Sequence, residues 1–399
     1  MYYTHTTDPL LAAVSERAHR IIRELEEFIA GTVIPLEKRE GITRDGATDL
    51  PVLRQVWKAA RERGFFHLML PPEHGGPGLT TVELCAIKEA VSRTGAALSP
   101  HVLGEWNGPP RVGYLLGHVS AYQKQTFLDP VVNGDKGICF ALTEESAGSD
   151  AAGVKTRAER RGDHYVLSGS KRFISGAPYA DYAIVVAVTD PGAGAKGISA
   201  FFVDLHAPGA KIFDHYETLL GGHGTADLEF DNVQVPVENL IGAEGEGLKL
   251  GLSRITLNRL LHCPSAMGLS LLALDMASER CRTRKQFGAP IGGFQAIQHM
   301  LADMASEIYA VRAMMYATAA RRDAGGDIRA EACMCKLMTS ETAWRVADRA
   351  LQIHGGEGTV RGHFIEWLYR SSRVFRIANG SSEIQRNTIA KSLLKTKAP

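Results

Sequence analysis

Four short segments of this sequence combine residue types able to hold a polar, partly aromatic ligand. The first, Phe140-Ala-Leu-Thr-Glu-Glu-Ser-Ala-Gly-Ser-Asp150, leaves an apolar run and enters a loop of small residues. Such a loop exposes backbone N–H groups beside the hydroxyls of Thr143 and Ser149, which suit phosphate oxygens and the polar edge of a ring system. In the second, Gly169-Ser-Lys-Arg-Phe-Ile-Ser-Gly-Ala177, Phe173 can stack on an aromatic plane. Ser175, two residues on, points the same way along a strand. The third, Arg284-Lys-Gln-Phe-Gly288, leads to Phe294-Gln295, where a helix opens. Its Arg284 guanidinium suits a pyrophosphate, and Gln295 adds a polar contact. The fourth is split between Gln352-Ile-His-Gly-Gly-Glu-Gly358 and Arg376-Ile-Ala-Asn-Gly-Ser-Ser-Glu-Ile-Gln-Arg386. Paired glycines allow close backbone approach to a ligand. Ser382 with Gln385 reads as a capping box opening the last helix, whose free N–H groups form an anion site. Singly, each segment also has a plain reading: a Ser/Gly turn, a strand with one core aromatic, a charged helix end, a helix cap.

The elements that position these segments fall into three regions. Apolar residues Leu11, Val14, Ala18, Ile21, Leu25 and Phe28 step by three and four, which puts one stripe on a helix over 8–30. Further helical patterns lie near 50–64 and 80–94, with a Pro/Gly loop at 70–78 between them. From about Lys136 short Val/Ile/Phe-rich runs at 138–142, 183–188, 198–203 and 228–235 predict a small β domain, with Arg161-Gly162-Asp163 as a hairpin turn. Past Gly247 the helical period returns, as in Ile297, Leu301, Met304, Ile308 and Val311. Helices at 248–283, 294–323, 328–354 and 382–395 predict an antiparallel bundle. A doubly wound nucleotide-binding fold is excluded: no Gly-x-Gly-x-x-Gly follows an early strand, and there is no Gly-Lys-Ser/Thr phosphate loop.

A net charge of +1 gives no electrostatic footprint for nucleic acid or an anionic membrane. No apolar run is expected to approach the roughly 20 residues that span a bilayer, and the first ten residues show no secretory or organellar leader. The six cysteines (Cys85, Cys139, Cys263, Cys281, Cys333 and Cys335) lack zinc-ligand spacing and read as reduced thiols of a cytoplasmic protein, with no metal expected.

In this order and separation the four segments closely resemble the acyl-CoA dehydrogenase family. Gly75-Gly76, the stretch from Gly117 to Gln123-Lys124, and Val235-Pro236 with Gly242 match as well. The resemblance implies an α+β protein: an N-terminal α-helical domain over 1–135, a β-barrel-like middle domain over 136–240 and a C-terminal four-helix bundle domain over 241–399. It implies FAD as cofactor and an enzyme of lipid metabolism that dehydrogenates the α,β bond of an acyl-CoA, passing hydride to flavin N5. By matching position, backbone groups of Phe140 and Leu142, with Thr143, would hold the flavin ring, and Ser149 would lie near both pyrophosphate and substrate. Phe173 and Ser175 would lie against the ring. Arg284, Phe287 and Gln295 match contacts to the FAD of a neighbouring subunit, and Gln352, Gly355, Gly356, Ser381 and Glu383 match contacts to its ADP end. Asn258, Arg259, Gly380 and Lys391 match acyl-CoA contacts. A site shared between subunits implies a homotetramer, a dimer of dimers, with an electron-transfer flavoprotein or similar acceptor reoxidising the cofactor.

The sequence departs from the family at one function. The reaction needs a carboxylate to remove the proton next to the thioester carbonyl. The family places it immediately before the Gly-Ser/Thr-Ser turn, here Asn379, or just before the helix arginine, here Asn258. An amide does not accept that proton. The backbone N–H at 379, which in the family polarises the carbonyl, survives the change. Three readings stay open. Asn379 replaces a natural Asp or Glu by engineering; or the enzyme draws on another base or runs chemistry that needs none, such as enoyl reduction or oxygenation; or the chain is a silent FAD/CoA-binding subunit. Glu105, His101, Glu144 and Glu357 are candidate bases with plainer structural readings.

Overall fold

The computed structural model describes residues 8–394 except 13, 116 and 223. The N-terminal part comprises α1 (Glu16–Phe28), α2 (Ile34–Arg39), α3 (Leu50–Glu62), α4 (Thr81–Arg93) and short helices α5 (Ser99–Val102), α6 (Ala121–Gln123) and α7 (Asp129–Val132). The first helix starts at Glu16, not residue 8. Asp8 caps a separate 3-10 turn, and Ser15 opens α1 by accepting from Ala18 N–H. That restart shifts the helical phase. Leu11, Val14, Ala18, Leu25 and Phe28 are buried as expected, but Ile22 rather than Ile21 completes the stripe.

The middle part is one curled sheet of β1 (Ile138–Ala141), β2 (Arg157–Arg161), β3 (His164–Ser175), β4 (Tyr182–Val188), β5 (Ile198–Asp204), β6 (Ala210–Tyr216) and β7 (Thr225–Pro236). β4 pairs parallel with β1 and antiparallel with β5, while β2, β3, β7 and β6 pair antiparallel in that order. β1 ends the ladder order, so one of its edges is left for other partners. The expected turn at 161–163 joins β2 to β3.

The C-terminal part holds α8 (Gly247–Thr283), the hairpin β8 (Lys285–Gln286) and β9 (Ala289–Pro290), α9 (Gln295–Asp323), α10 (Arg329–His354), α11 (Phe364–Ser372) and α12 (Ser382–Leu393). Residue 395, the end of the last helix expected from sequence, lies outside the described residues. The expectation that no apolar run is long enough for a membrane needs correction. By length and composition α8 qualifies, but 67% of its apolar window is buried inside the fold. Its side chains join two protein cores: Leu260, Leu261 and Cys263 pack with α1, α3 and α4, and Leu271, Leu274 and Ala277 with α9, α10 and α11.

Buried polar contacts tie the parts together. Arg312 on α9 is forked by Glu89 of α4, both contacts at 2.7 Å, and also meets Asp8 at 2.6 Å. Asp323 at the end of α9 accepts from Thr81 and Val82 N–H at 2.8 and 3.0 Å, using a C-terminal carboxylate to cap an N-terminal helix. All three parts meet at Trp367. Its indole donates to Leu220 O at 2.8 Å, and the Arg44 guanidinium lies 4.3 Å from its ring centre.

Candidate active site

Thr143 and Phe173 are brought side by side. Arg172 N–H donates to Thr143 O at 2.8 Å, and Lys171 reaches Leu142 O at 3.2 Å. Behind them the buried Glu144 carboxylate accepts from Lys155 N–H (2.6 Å), Thr156 N–H (3.0 Å), the Thr156 hydroxyl (2.6 Å) and the Lys171 ammonium (2.7 Å). Burial pushes Lys171 down to about 8. Burial also acts upward on Glu144, but Lys171 and the Thr156 and Lys155 donors outweigh it and hold the carboxyl below its ordinary range. Glu144 therefore pins the small-residue loop.

A bulge between Lys171 and Ile174 breaks the two-residue alternation assumed for this strand. Lys171 is buried while Phe173 is exposed, so Ser175, half-buried at the strand end, does not simply repeat Phe173. Phe173 takes φ +56, and its N–H donates to Asp227 Oδ1 at 2.8 Å. A left-handed aromatic residue is a real outlier. The conformation turns the ring outward, 53% exposed, with Tyr216 4.8 Å away. Ser149 lies exposed further along the loop.

Arg284, Phe287 and Gln295 are exposed around the β8–β9 hairpin. Phe287 and Gly288 form its two-residue tip with φ +49 and +82, the left-handed pair that a tight hairpin requires. The Phe287 ring is 95% exposed. Gln352, Gly355 and Gly356 are exposed at the end of α10, beside Arg280, which pairs with Glu357 at 2.6 Å. Among the described residues no hydrogen bond or ion pair joins either segment to Thr143 or Phe173. Two exposed aromatic rings, an edge strand, and glycines at 355 and 356 where an added Cβ would meet nothing within 4 Å fit a planar cofactor with a long polar tail.

The turn before α12 is the most constrained part of the site. Asn379 and Gly380 take φ +55 and +89 in succession. Neither the Asn379 amide nor the N–H groups of 379 and 380 have a hydrogen-bond partner among the described residues. The oxygens, in contrast, are held: Gln385 Nε2 donates to Asn379 O at 3.2 Å and Gly380 O at 2.9 Å, and Lys336 donates to Gly380 O at 2.8 Å. Arg259 Nη2 lies 3.4 Å from where a Cβ on Gly380 would sit. Its Nη1 meets only the Cys333 sulfur at 3.2 Å, its Nε is buried without a partner, and no carboxylate pairs with it among the described residues. Asn258, one residue earlier on α8, is half-buried. The helix cap differs from expectation. Ser381, not Ser382, is the N-cap, accepting from Ile384 N–H, because Ser382 is 1% exposed with its hydroxyl on Glu341 at 2.9 Å. That leaves Gln385 to bind the turn. Glu383 and Lys391 are exposed on α12.

The other candidate bases are all engaged. Glu105 pairs with Lys88. His101 accepts from Trp57 Nε1 at 3.4 Å and, although its ring keeps some exposed edge, burial pushes it down to about 4. Glu341 beside the turn is taken by Arg376 at 2.9 Å. Lys336 and Asp227 are site-shaping residues that the motifs did not single out, and Gln385, read from the sequence as a capping residue, instead binds the turn. The one signal for Lys336 is a charge interrupting the apolar face of Ala332, Ala343 and Ala347 on α10.

A half-exposed aromatic ring next to a small-residue loop suits a flavin, and the turn with unpaired N–H groups near a guanidinium suits a carbonyl; together they fit a flavin-dependent oxidoreductase acting on a carbonyl compound. Comparison with known proteins gives the family. Residues 15–135, 139–233 and 245–394 match the N-terminal, middle and C-terminal domains of acyl-CoA dehydrogenase. A 3-(aryl)acrylate reductase of Clostridium sporogenes is 36% identical over 94% of this chain and 98% of its own. The caffeyl-CoA reductase–Etf complex subunit CarC of Acetobacterium woodii is 34% identical over the same shares. The structure of butyryl-CoA dehydrogenase from Megasphaera elsdenii superposes with a TM-score of 0.86 at 27% identity, covering 96% of this chain and 99% of that one. The chain belongs to the acyl-CoA dehydrogenase family and is an FAD-dependent oxidoreductase of that type.

Proposed function

We propose that the chain carries out two-electron chemistry at the α,β bond of an acyl-CoA, with the thioester carbonyl received by the turn at Asn379–Gly380. FAD, when bound, supplies the hydride acceptor or donor at N5. The backbone of Phe140 and Leu142, with Thr143, Phe173 and Ser175, would hold the flavin ring. Ser149, Gln352, Gly355, Gly356, Ser381 and Glu383 would meet its polar tail, and Arg284, Phe287 and Gln295 would reach the cofactor of a neighbouring subunit in a homotetramer. Asn258, Arg259, Gly380 and Lys391, with Ser149, would contact the acyl-CoA. The supporting observation is the pair of unpartnered N–H groups at 379 and 380, fixed beside the Arg259 guanidinium.

A second reading concerns direction. Asn379 and Asn258 offer no base, and the carboxylates on adjoining elements are engaged. Reduction of an enoyl-CoA asks less of these residues. Negative charge gathering on the thioester oxygen meets the 379 N–H and Arg259, and the α-carbon of the resulting enolate takes a proton from water. The reductase names of two relatives support this direction, and the Etf complex of one supports an electron-transfer flavoprotein as partner. Cytoplasmic residence completes the proposal. The test is anaerobic addition of acyl-CoAs to the oxidised holoenzyme and of enoyl-CoAs to the reduced one. Turnover of neither, with no spectral perturbation by any CoA ester, refutes the assignment.

A further inference from the structure

We propose that Lys336 and Gln385 are positioning residues for the carbonyl-binding turn: they hold its backbone oxygens, so that the adjacent N–H groups stay fixed and unpaired. This deepens the reading above and rests on it.

A lysine is almost never buried without a charged partner. Lys336 is 4% exposed, and no carboxylate pairs with it among the described residues. Its ammonium instead donates to two backbone carbonyls, Phe375 O at 2.7 Å and Gly380 O at 2.8 Å. Those two oxygens bracket the segment 376–379. Gln385 holds Asn379 O and Gly380 O from the other side, and the Ser340 hydroxyl adds a bond to Phe375 O at 2.9 Å. Ala378 N–H donates to Val374 O at 3.0 Å. Because each peptide is planar, the held Asn379 O also fixes the Gly380 N–H. The peptide that bears the 379 N–H is not itself bonded but lies between two held ones, fixed through Ala378 N–H before it and Asn379 O after it, with Lys336 clamping the segment at Phe375 O and Gly380 O.

The hold has a physical reason. A non-glycine residue in the left-handed region is strained by roughly 1–2 kcal/mol, and such a conformation persists only where its surroundings over-determine it. Asn379 is such a residue, followed by a second left-handed one. The groups that face Lys336 are Arg259 and Cys263 on α8, Cys333 and Glu341 on α10, where Glu341 is paired with Arg376, and Glu383 on α12. Burial lowers the ammonium to about 8, while it pushes the Cys263, Cys333 and Cys335 thiols upward. A response near pH 8 therefore belongs to Lys336 rather than to the thiols.

The experiment uses FAD-loaded wild type, Lys336→Met and Gln385→Leu. The probe is whichever of butyryl-, octanoyl- and phenylpropionyl-CoA binds wild type most tightly, carrying ¹³C at the thioester carbonyl. Infrared difference spectra report the carbonyl stretch, and enoyl-CoA reduction by the pre-reduced enzyme reports rate. The expected result is a wild-type stretch lowered on binding, a shift that weakens as pH rises through about 8. In Lys336→Met the shift is largely lost and independent of pH, and the rate falls about 10²-fold, as expected for a misplaced catalytic group. FAD occupancy and acyl-CoA affinity stay within about threefold, since uniform binding is untouched. If Lys336→Met does not retain FAD, Gln385→Leu decides: an unchanged carbonyl shift and rate in a folded variant overturn the proposal. A wild-type carbonyl with no shift at all would instead refute the thioester site itself.

Discussion

Asn379→Asp is the most informative single change. Asp tolerates the left-handed conformation about as well as Asn, so φ +55 is kept without new strain, whereas Glu would add to it. The new carboxylate would sit one residue before Gly380, an added Cβ of which would lie 3.4 Å from Arg259 Nη2, and that guanidinium has no carboxylate partner among the described residues. An opposite charge at that range lowers a carboxyl pKa by about 1–3 units, which keeps the base ionised at neutral pH but weakens it. General-base catalysis contributes about 10²–10⁴ in rate, and the Arg259 effect places the expected gain toward the lower end, about 10². The assay is anaerobic stopped-flow bleaching of the flavin by a panel of saturated acyl-CoAs, with wild type freshly prepared and checked by mass. Bleaching of fresh wild type at the rate of the variant would refute the reasoning, because a different residue would then be taking the proton.

Three further outcomes follow from other parts of the structure. Asn379 precedes a glycine that offers its N–H little steric cover, so storage at alkaline pH should convert some Asn379 to acid; mass spectrometry should show acyl-CoA bleaching rising in step with that fraction, and not in Asn379→Ala. His101 is held at about 4 against an ordinary 6.5, so between those values the unfolded chain binds a proton that the folded chain refuses. Stability should therefore fall by up to about 3 kcal/mol as pH drops through that window, and denaturant unfolding of His101→Gln should show a flatter profile. Lys171→Met leaves the Glu144 carboxylate buried without its cation and should destabilise by about 3–5 kcal/mol in urea unfolding, with weaker FAD retention; a loss below about 1 kcal/mol would mean that the pair does not organise the loop.

What the sequence revealed, and what it hid, follows from the range of the interactions. Helices α3, α4, α8, α9 and α10 were legible because long apolar periods survive averaging over their length. β6 was not, since its Lys211, Asp214 and His215 follow an exposed edge with no apolar alternation. The nine-residue α11 was also missed. At the site, the motifs located Phe173, Asn379 and Gly380 but not their conformations. The bulge that turns Phe173 outward depends on pairing with β7, and the choice of Ser381 over Ser382 as cap depends on Glu341 from a different helix. Lys336 lies 44 residues from the carbonyl it holds, so no local pattern connects the two.

The central claim is that this site keeps the carbonyl-binding half of acyl-CoA dehydrogenase chemistry and lacks the proton acceptor. It is tested most directly by running both directions on one fresh, mass-verified preparation in D₂O. Saturated acyl-CoA should shift the oxidised flavin spectrum without bleaching it, while enoyl-CoA should reoxidise the reduced enzyme and yield product carrying deuterium at the α-carbon. Rapid bleaching by a saturated acyl-CoA, in protein shown to hold Asn at 379, would contradict the account.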